Sequence, residues 1–373
     1  MSMAVEAAAM FDPEIWAKVP FHFWSVVIFI FGSIVGSFLN VCIYRMPIGK
    51  SVVTPASHCP YCGYAIPFYL NVPLVTWLML RGKCANCRAP ISIRYFLVEL
   101  LTGLMFLACW LAYGGNSAAL ALVYCLVMAG LIVATFIDIE HFIIPDAITF
   151  GGMAAGFVCS ALVPALHQSV KVTDSLRASF IGILIGGLVV QSVRLAGKLA
   201  FGRVKIALEG ETKVVFTETA LVLPDREVKY EEMFSKNSDA IKFHARRLEL
   251  IDRCFADVPV SLSPIKLRIG NQEFDPEQMP YMEALTTKMV LPREAMGFGD
   301  VTFMAAIGAF LGWKATLFSL MSASLIGTIV AGTMILIGKR ERSAQIPFGP
   351  YIAAGAVIWI FCGTQLLNWL LNR

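Results

Sequence analysis

Two aspartates at the edges of apolar segments are the residues of this sequence best placed to do chemistry. Asp138 lies in FIDIEHFIIPD and Asp300 in GFGDVTFMAAIGAFLG. A carboxylate at membrane depth costs ~2.5–3.5 kcal/mol on insertion scales, so its presence there indicates a function. Two such groups in one site can share a proton, so that one activates water while the other donates to a carbonyl. The pair therefore predicts an acid–base hydrolytic site.

The sequence around each aspartate limits its role. The glycines of segment 297–299 allow the backbone before Asp300 to approach another element closely, although an aspartate here also suits a helix N-cap. Asp138 follows an unbroken apolar run, so we expect it in the last turn of its helix, where the helix dipole disfavours a carboxylate. We expect Asp146 to cap the helix that starts at residue 147. Three other titratable residues near Asp138 are alternative candidates for its catalytic role: Glu140, His141 and Asp146.

Four cysteines form a second constellation. Cys59 and Cys62 make one C-x2-C pair, Cys84 and Cys87 make another, and 21 residues separate the pairs. Four thiolates with this spacing can surround one tetrahedral zinc ion. Four ligands leave no open coordination position, so the zinc is predicted to be structural. A disulfide is the weaker interpretation if the loop faces a reducing cytoplasm.

The elements that must position these groups are membrane spans. Of the 373 residues, 57% are hydrophobic and only 15% are charged, which favours a polytopic membrane protein over a soluble domain. A break at Trp313-Lys314 separates a short apolar run, 301–312, from its successor, and without this short run as a span of its own the count is seven. The apolar runs predict about eight transmembrane helices, at 22–43, 96–113, 117–137, 147–165, 178–200, 301–312, 315–338 and 347–370.

Charge predicts the orientation of these spans. Residues 1–17 contain acids but no lysine or arginine, unlike a signal peptide, so we expect an uncleaved anchor with its N-terminus outside. Loop 44–95 then lies inside, in agreement with its six basic residues and absence of acidic ones. Both Asp138 and Asp300 fall at the cytoplasmic ends of their spans. The net charge of +4 is accounted for by topology and does not indicate nucleic-acid binding.

The predicted fold is an all-α polytopic membrane protein with a cytoplasmic zinc-binding loop and a soluble α+β insertion. Residues 1–95 hold the first span and the four-cysteine region, and 96–200 hold the spans that carry Asp138. Residues 201–296 form the charged cytoplasmic insertion, and 297–373 hold the spans that carry GFGD.

Three local predictions concern this insertion, for which a regulatory, docking or purely structural role is open. Alternation predicts a β-hairpin over Val204–Leu223 around Glu209-Gly210-Glu211. Tyr230–Phe255 is predicted to form one or two amphipathic helices. Val258–Phe274 is predicted to form strands around Gly270-Asn271.

Four segments together resemble the prepilin peptidase family, also called type IV leader peptidases, which are GxGD-type intramembrane aspartic proteases of bacteria. The long segment 57–103 is far more specific than the short GFGD. The segments are GSFLNVCIYRMP (36–47), residues 57–103, FIDIEHFIIPD (136–146) and GFGD (297–300).

The resemblance implies a multi-pass protein of the bacterial inner (cytoplasmic) membrane whose active site faces the cytoplasm. It implies cleavage of the basic leader of type IV prepilins or type II secretion pseudopilins, with Asp138 and Asp300 as the catalytic residues. It also implies that the four cysteines bind zinc, and that the new N-terminus is methylated from S-adenosylmethionine. No Gly-rich dinucleotide-type loop follows a strand, so a site for that cofactor must be of another kind. Loop 44–95 is where we expect it. The expected partners are prepilin substrates and membrane lipid; the sequence leaves the oligomeric state and the individual substrate open.

Two departures and two alternatives accompany this resemblance. The insertion before Asp300 is longer than the family pattern leads us to expect, and Glu140 stands where an aspartate is expected. The alternative function is an ion-coupled membrane transporter that uses the two aspartates as a relay. Such a transporter predicts deeper acids and repeated halves, neither of which is evident in the sequence. A non-catalytic scaffold of a secretion machine gives no reason for two acids at one membrane level.

Overall fold

The computed structural model describes residues 20–224, 227–234, 239–292, 296–337 and 346–371. It divides into two compact units, one formed by residues 1–190 and 298–373 and the other by residues 191–297. Residues 1–17, which are predicted to precede the anchoring first span on the outside, lie outside the described residues.

Helices make up the first unit. Five described helices are long and apolar enough to cross a membrane, and two more apolar helices are shorter. The bounds of the helices described in the whole chain are α1 Phe21–Arg45, α2 Val75–Met79, α3 Ile93–Cys109, α4 Ala118–His141, α5 Asp146–Leu162, α6 Val172–Phe201, α7 Tyr230–Met233, α8 Phe298–Leu336 and α9 Gly349–Leu371.

The structure does not confirm the predicted eight spans. The predicted spans 301–312 and 315–338 lie in one helix, α8, which leaves helical geometry only at Gly312 (φ 76°, ψ 174°). Helix α5 and the apolar part of α9 are the two shorter ones, with 17 residues in α5. The structure therefore supports a multi-pass helical protein with five candidate membrane spans among the described residues.

Glycines let helices α6 and α8 approach each other very closely. The backbones of Gly182 and Gly308 touch, and a Cβ on Gly186 would lie 2.6 Å from the carbonyl oxygen of Met304. The first part of α8, from Asp300 to Phe310, is buried along its whole length. The small-residue sequence after Asp300 thus serves close helix packing, as small residues commonly do between membrane helices.

We expect Gly186→Val to lower the melting temperature of the detergent-solubilised protein, because the new side chain meets the rigid backbone of α8. Overpacking of this kind costs about 1–3 kcal/mol. The matched control is Gly151→Val in α5, because a Cβ at Gly151 meets nothing within 4 Å. Equal melting temperatures for the two variants would contradict this packing argument.

The second unit is an antiparallel sheet of eight strands in the order β3-β2-β1-β8-β4-β5-β6-β7. Apolar residues from most of its strands form one buried cluster. The strands are β1 Arg203–Phe216, β2 Ala220–Val222, β3 Glu227–Lys229, β4 Ile241–Leu250, β5 Cys254–Ser263, β6 Lys266–Ile269, β7 Gln272–Phe274 and β8 Met282–Pro292. The predicted β content is therefore present, but the predicted helical share is one turn, α7.

The prediction of amphipathic helices over Tyr230–Phe255 was wrong. The buried residues Ile241, Ala245 and Leu248 recur at spacings of four and three, which imitates a helix. In the structure they lie on strand β4, where the two consecutive residues Arg246 and Arg247 are both exposed and the buried positions resume at Leu248 and Leu250. The alternation is interrupted there, although the register with β5 is the same on both sides.

The predicted hairpin over Val204–Leu223 has its turn elsewhere. Strand β1 continues through Gly210, where φ is +74° and the pairing with β8 shifts between Ala207 and Thr212. A glycine inside a strand commonly marks such an irregularity. The chain turns instead at residues 217–219 before β2. The strands predicted around Gly270-Asn271 are confirmed, because Ile269 pairs with Gln272 across this two-residue turn.

Candidate functional site

Asp138 is buried at the end of α4, with 5% of its surface exposed. Its Oδ2 accepts a hydrogen bond of 2.8 Å from the backbone N–H of Gly349, the first residue of α9. The N-terminus of a helix favours a negative charge, because its first N–H groups lack intrahelical partners. Although Asp138 stands at the unfavourable end of its own helix, a second helix therefore provides a favourable partner for its carboxylate.

Asp300 lies in the first turn of α8 and is also buried, with 9% of its surface exposed. The neighbouring Gly299 packs on Ile144, since a Cβ on that glycine would lie 3.3 Å from Ile144 Cβ. The same isoleucine side chain reaches Gly349, where a Cβ would lie 3.2 Å from Ile144 Cδ1 and 2.8 Å from Asp138 Oδ2. Ile144 thus contacts the glycine beside Asp300 and the glycine bonded to Asp138.

Helix packing supports the same neighbourhood. Helix α9 packs against both α8 and α4, which carry the two aspartates. The two predicted catalytic residues are therefore buried acids on helix ends that share α9 and Ile144 as neighbours.

The rival groups near Asp138 are more exposed. His141 and Asp146 are both exposed, and Asp146 is itself the first residue of α5. No side-chain hydrogen bond caps this helix, so the prediction that Asp146 caps it was wrong. Pro145 occupies the capping position and has no side-chain acceptor.

Glu140 forms an ion pair with Arg94. Arg94 stands at the start of α3, and its guanidinium also lies 5.4 Å from the ring centroid of Tyr95. The pair joins the segment that follows the four cysteines to the last turn of α4, two residues beyond Asp138. Sequence reasoning missed this link, because the two residues are 46 positions apart.

We expect a double-mutant cycle with Arg94→Ala and Glu140→Ala to show a coupling free energy of about 0.2–1 kcal/mol, as for partly exposed ion pairs. The melting temperature of each purified variant is the measurement. The double variant is expected to be less destabilised than the sum of the two single variants. Strict additivity would mean that the ion pair contributes nothing to stability.

The four predicted cysteines come together. Their sulfur atoms all lie within 4.8 Å of one another. The sulfurs of Cys59 and Cys87 are 3.8 Å apart, and those of Cys62 and Cys84 are 4.0 Å apart. A tetrahedral zinc ion with Zn–S bonds of ~2.3 Å places its sulfurs ~3.8 Å apart. The sulfur positions therefore fit a tetrahedral metal site.

Each cysteine pair is held by the same backbone turn. In the first, the Cys59 N–H donates to the Tyr64 carbonyl and the Gly63 N–H donates to the Cys59 carbonyl, both at 2.9 Å. In the second, the Cys84 N–H donates to the Ala89 carbonyl at 2.9 Å, and the Arg88 N–H donates to the Cys84 carbonyl at 3.1 Å. Gly63 and Arg88 both have positive φ, of 68° and 61°.

The backbone also favours thiolates in this cluster. Hydrogen bonds from the backbone N–H groups of Cys87 and Asn86 lower the pKa of Cys84 to about 6. A backbone hydrogen bond from Tyr64 lowers the pKa of Cys62. A metal binds the thiolate form, so these bonds favour metal binding. Desolvation and the neighbouring cysteine side chains raise the pKa of Cys87 to about 11 in the absence of a metal charge.

Glu99 is a buried acid that sequence reasoning missed. It lies within the apolar sequence of α3, and its Oε2 accepts a hydrogen bond of 2.7 Å from the backbone N–H of Leu74. It also lines a cavity of about 650 Å³. The signal that identified Asp138, an acid in an apolar segment, was present here as well.

Comparisons with known proteins agree with these features. Residues 30–113 match the family described as "Bacterial Peptidase A24 N-terminal domain", and residues 280–332 match the "Type IV leader peptidase family". Two separate regions of the chain therefore match models of type IV leader peptidases. The first match includes the four cysteines and Glu99, and the second includes Asp300. Asp138 lies outside both matched ranges. The predicted resemblance is thus confirmed.

Curated relatives of this leader peptidase family include long and partial matches. A "Prepilin leader peptidase/N-methyltransferase" of Aeromonas hydrophila is 28% identical over 387 residues, covering 96% of this chain and 98% of the relative. A protein of the same name from Myxococcus xanthus (strain DK1622) is 42% identical over 181 residues. That match covers 48% of this chain and 51% of the relative, about half of its length. No solved structure matches the chain.

Proposed function

We propose that this protein is a prepilin leader peptidase, which removes the basic leader of type IV prepilins or type II secretion pseudopilins. The observation that carries the proposal is the pair of buried carboxylates, Asp138 and Asp300, on helix ends that share Ile144 and α9 as neighbours. The names of the relatives support it. The substrate class fits, because a basic leader followed by an apolar helix has its scissile bond near the membrane surface.

The proposed reaction is aspartic proteolysis without a covalent intermediate. Two neighbouring carboxylates share one proton, because both cannot ionise cheaply at short distance. The ionised member takes a proton from a water molecule, whose oxygen attacks the scissile carbonyl carbon. The other member donates its proton to the carbonyl oxygen, and the leaving amine is then protonated as the C–N bond breaks.

The four-cysteine cluster is proposed to hold structural zinc. Cys59, Cys62, Cys84 and Cys87 would supply all four ligands, which leaves no position for a substrate or water. A zinc ion supplies four strong bonds that close loop 57–91 onto itself. The loop gains a fixed shape where few apolar contacts are available to give one.

A second activity, N-methylation of the newly exposed N-terminal residue, is part of the proposal. The relatives' names, which include N-methyltransferase, support it, and S-adenosylmethionine is the proposed methyl donor. The site is proposed to lie in the region of loop 44–95.

The proposed setting is the bacterial inner membrane, with eight spans and both aspartates facing the cytoplasm. In this arrangement α5 and α9 also cross the bilayer, and α8 forms two spans that meet at Gly312. The sheet of residues 201–296 is then a cytoplasmic insertion with a regulatory or docking role.

A cleavage assay tests the peptidase proposal. The purified full chain in detergent is mixed with a prepilin that carries a basic leader, with and without S-adenosylmethionine, and the products are weighed by mass spectrometry. We expect loss of the leader in both reactions and the addition of one methyl group only with the cofactor. Intact substrate across several prepilins would contradict the peptidase activity, and cleavage without the methyl mass would contradict the second activity alone.

A further inference from the structure

The cavity beside the four-cysteine cluster has the properties of a small-molecule site. Its volume of about 650 Å³ lies within the ~300–1,000 Å³ common for ligand pockets. Its walls come from the end of α1, from loop 50–92 and from the first turns of α3. Cys59 and Cys84 are among the lining residues, so the metal cluster shapes one side of it.

Glu99 is the one acidic residue among those that line this cavity, and its basic lining residues are Arg45, Lys50 and His58. Glu99 is buried and accepts hydrogen bonds from the Leu74 N–H and the Ser37 side chain, and none of the ion pairs among the described residues includes it. A carboxylate taken out of water without a cation is costly, since burial removes its hydration. A cationic ligand in the cavity would supply the missing positive charge.

Two further polar groups on the cavity wall lack partners in the described part of the chain. Asn40 is 1% exposed, and its amide nitrogen donates a hydrogen bond of 3.0 Å to the Tyr95 carbonyl. Its Oδ1 has no hydrogen-bond partner. The indole N–H of Trp77 is likewise buried without a partner. An unpaired buried polar group costs ~1–3 kcal/mol, so a ligand that pairs with one is favoured.

Aromatic rings make up much of the remaining wall. The lining aromatic residues include Tyr44, Tyr61, Tyr64, Trp77 and Tyr95. Rings of this kind attract cations at their faces and stack with flat ligands. The cavity therefore combines one buried carboxylate, the basic side chains of Arg45 and Lys50, an unpaired donor, an unpaired acceptor and several rings. This set suits a ligand that carries a cationic amine, a carboxylate and a flat heterocycle.

We propose that this cavity binds S-adenosylmethionine and that the Glu99 carboxylate accepts hydrogen bonds from its α-ammonium group. The proposal rests on the methyltransferase part of the proposed function and deepens it. In the transfer, the lone pair of the substrate amine forms a bond to the methyl carbon, and the carbon–sulfur bond breaks with its electron pair going to sulfur. The positively charged sulfur becomes a neutral thioether, and the amine proton passes to water.

A substitution can distinguish the effect of the negative charge of Glu99 from that of its hydrogen bond with the Leu74 N–H. In Glu99→Gln, the side-chain amide oxygen can still accept the hydrogen bond from the Leu74 N–H. The negative charge is lost, while the shape of the side chain is kept. An effect of this substitution on ligand binding therefore reports the charge. Trp77→Phe is a second variant, which removes the unpaired indole donor together with one of the two fused rings.

Isothermal titration of the purified full chain in detergent with S-adenosylmethionine tests the proposal. We expect Glu99→Gln to raise the Kd by about 10- to 100-fold, which corresponds to a charge-assisted hydrogen bond. Trp77→Phe is expected to raise the Kd by about 2- to 10-fold. Glu140→Gln is the matched control, since Glu140 does not line the cavity, and it is expected to bind with the wild-type Kd.

The outcomes separate this assignment from the proposed function. If Glu99→Gln and Trp77→Phe both bind with the wild-type Kd while the wild type methylates its product, the cavity assignment is overturned and the methyltransferase stands. If the wild type neither binds the cofactor nor methylates, both fail, and leader cleavage in the same preparation still reports the peptidase. If Glu99→Gln does not fold, the Kd of Trp77→Phe decides.

Discussion

Replacing Asp138 or Asp300 by asparagine is expected to lower the rate of leader cleavage by about 10²–10⁴-fold, the usual contribution of a general acid or base. An amide can neither take a proton from water nor donate one to a carbonyl at neutral pH. Each substitution therefore removes a proton-transfer step and leaves the volume of the side chain unchanged. The rate constant for appearance of the shortened product is the measurement.

The structure predicts that Asp138→Asn still folds. The Oδ1 of an asparagine at this position can accept the hydrogen bond from the Gly349 N–H that the carboxylate accepts now. We therefore expect a melting temperature near that of the wild type. A large fall in melting temperature would mean that the loss of activity reflects unfolding.

Asp174→Asn is the matched control for this pair. Asp174 is an exposed acid in the first turn of α6, and its nearest ion-pair partner is Arg177 at 4.0 Å. Cleavage by this variant is expected at the wild-type rate. Wild-type cleavage by Asp300→Asn would rule out the proposed mechanism, and residual activity confined to Asp138→Asn would direct attention to Asp146.

Replacing Cys84 by serine is expected to remove the bound metal and to unfold loop 57–91. Structural zinc sites of four thiolates supply about 10–16 kcal/mol of apparent binding free energy, and that energy is folding energy for a loop with little core. The wild type is expected to contain one zinc ion per chain by elemental analysis, and Cys84→Ser none. Limited proteolysis is expected to cut the variant first within this loop.

Cys254→Ser controls for the loss of a thiol as such. Cys254 is exposed at the start of β5 and lies outside the four-cysteine cluster. This variant is expected to keep its zinc and its resistance to protease. Zinc retained by Cys84→Ser, or a wild type that purifies without metal, would contradict the assignment of the cluster.

Local motifs account for the parts of the site that the sequence predicted. Each C-x2-C pair forms one backbone turn, so its geometry follows from a few adjacent residues, and only the meeting of the two turns is tertiary. Asp138 ends an apolar run and Asp300 begins one, and these positions follow from hydropathy alone. The hydrogen bond from Gly349 to Asp138 could not be predicted, because it joins residues 211 positions apart.

Glu99 and strand β4 show why other features of the structure could not be predicted from the sequence. Glu99 carried the same signal as Asp138, but its place beside a cavity depends on how loop 50–92 folds over α1 and α3. In β4, two consecutive exposed residues, Arg246 and Arg247, change an alternating pattern into one with helical spacing. This local change in which side chains are buried reversed a prediction that rested on periodicity.

The bond between Gly349 and Asp138 makes the last helix of the chain a part of the site. A shortened protein that stops before Gly349 would keep both aspartates and all four cysteines in its sequence, yet it would lack the amide that orients one of the carboxylates. The segments that carry the two aspartates and the four cysteines are then necessary for an active enzyme, but they are not sufficient. When genomes contain truncated copies, the segment to check for is the one that begins with Gly349, which has no catalytic side chain of its own.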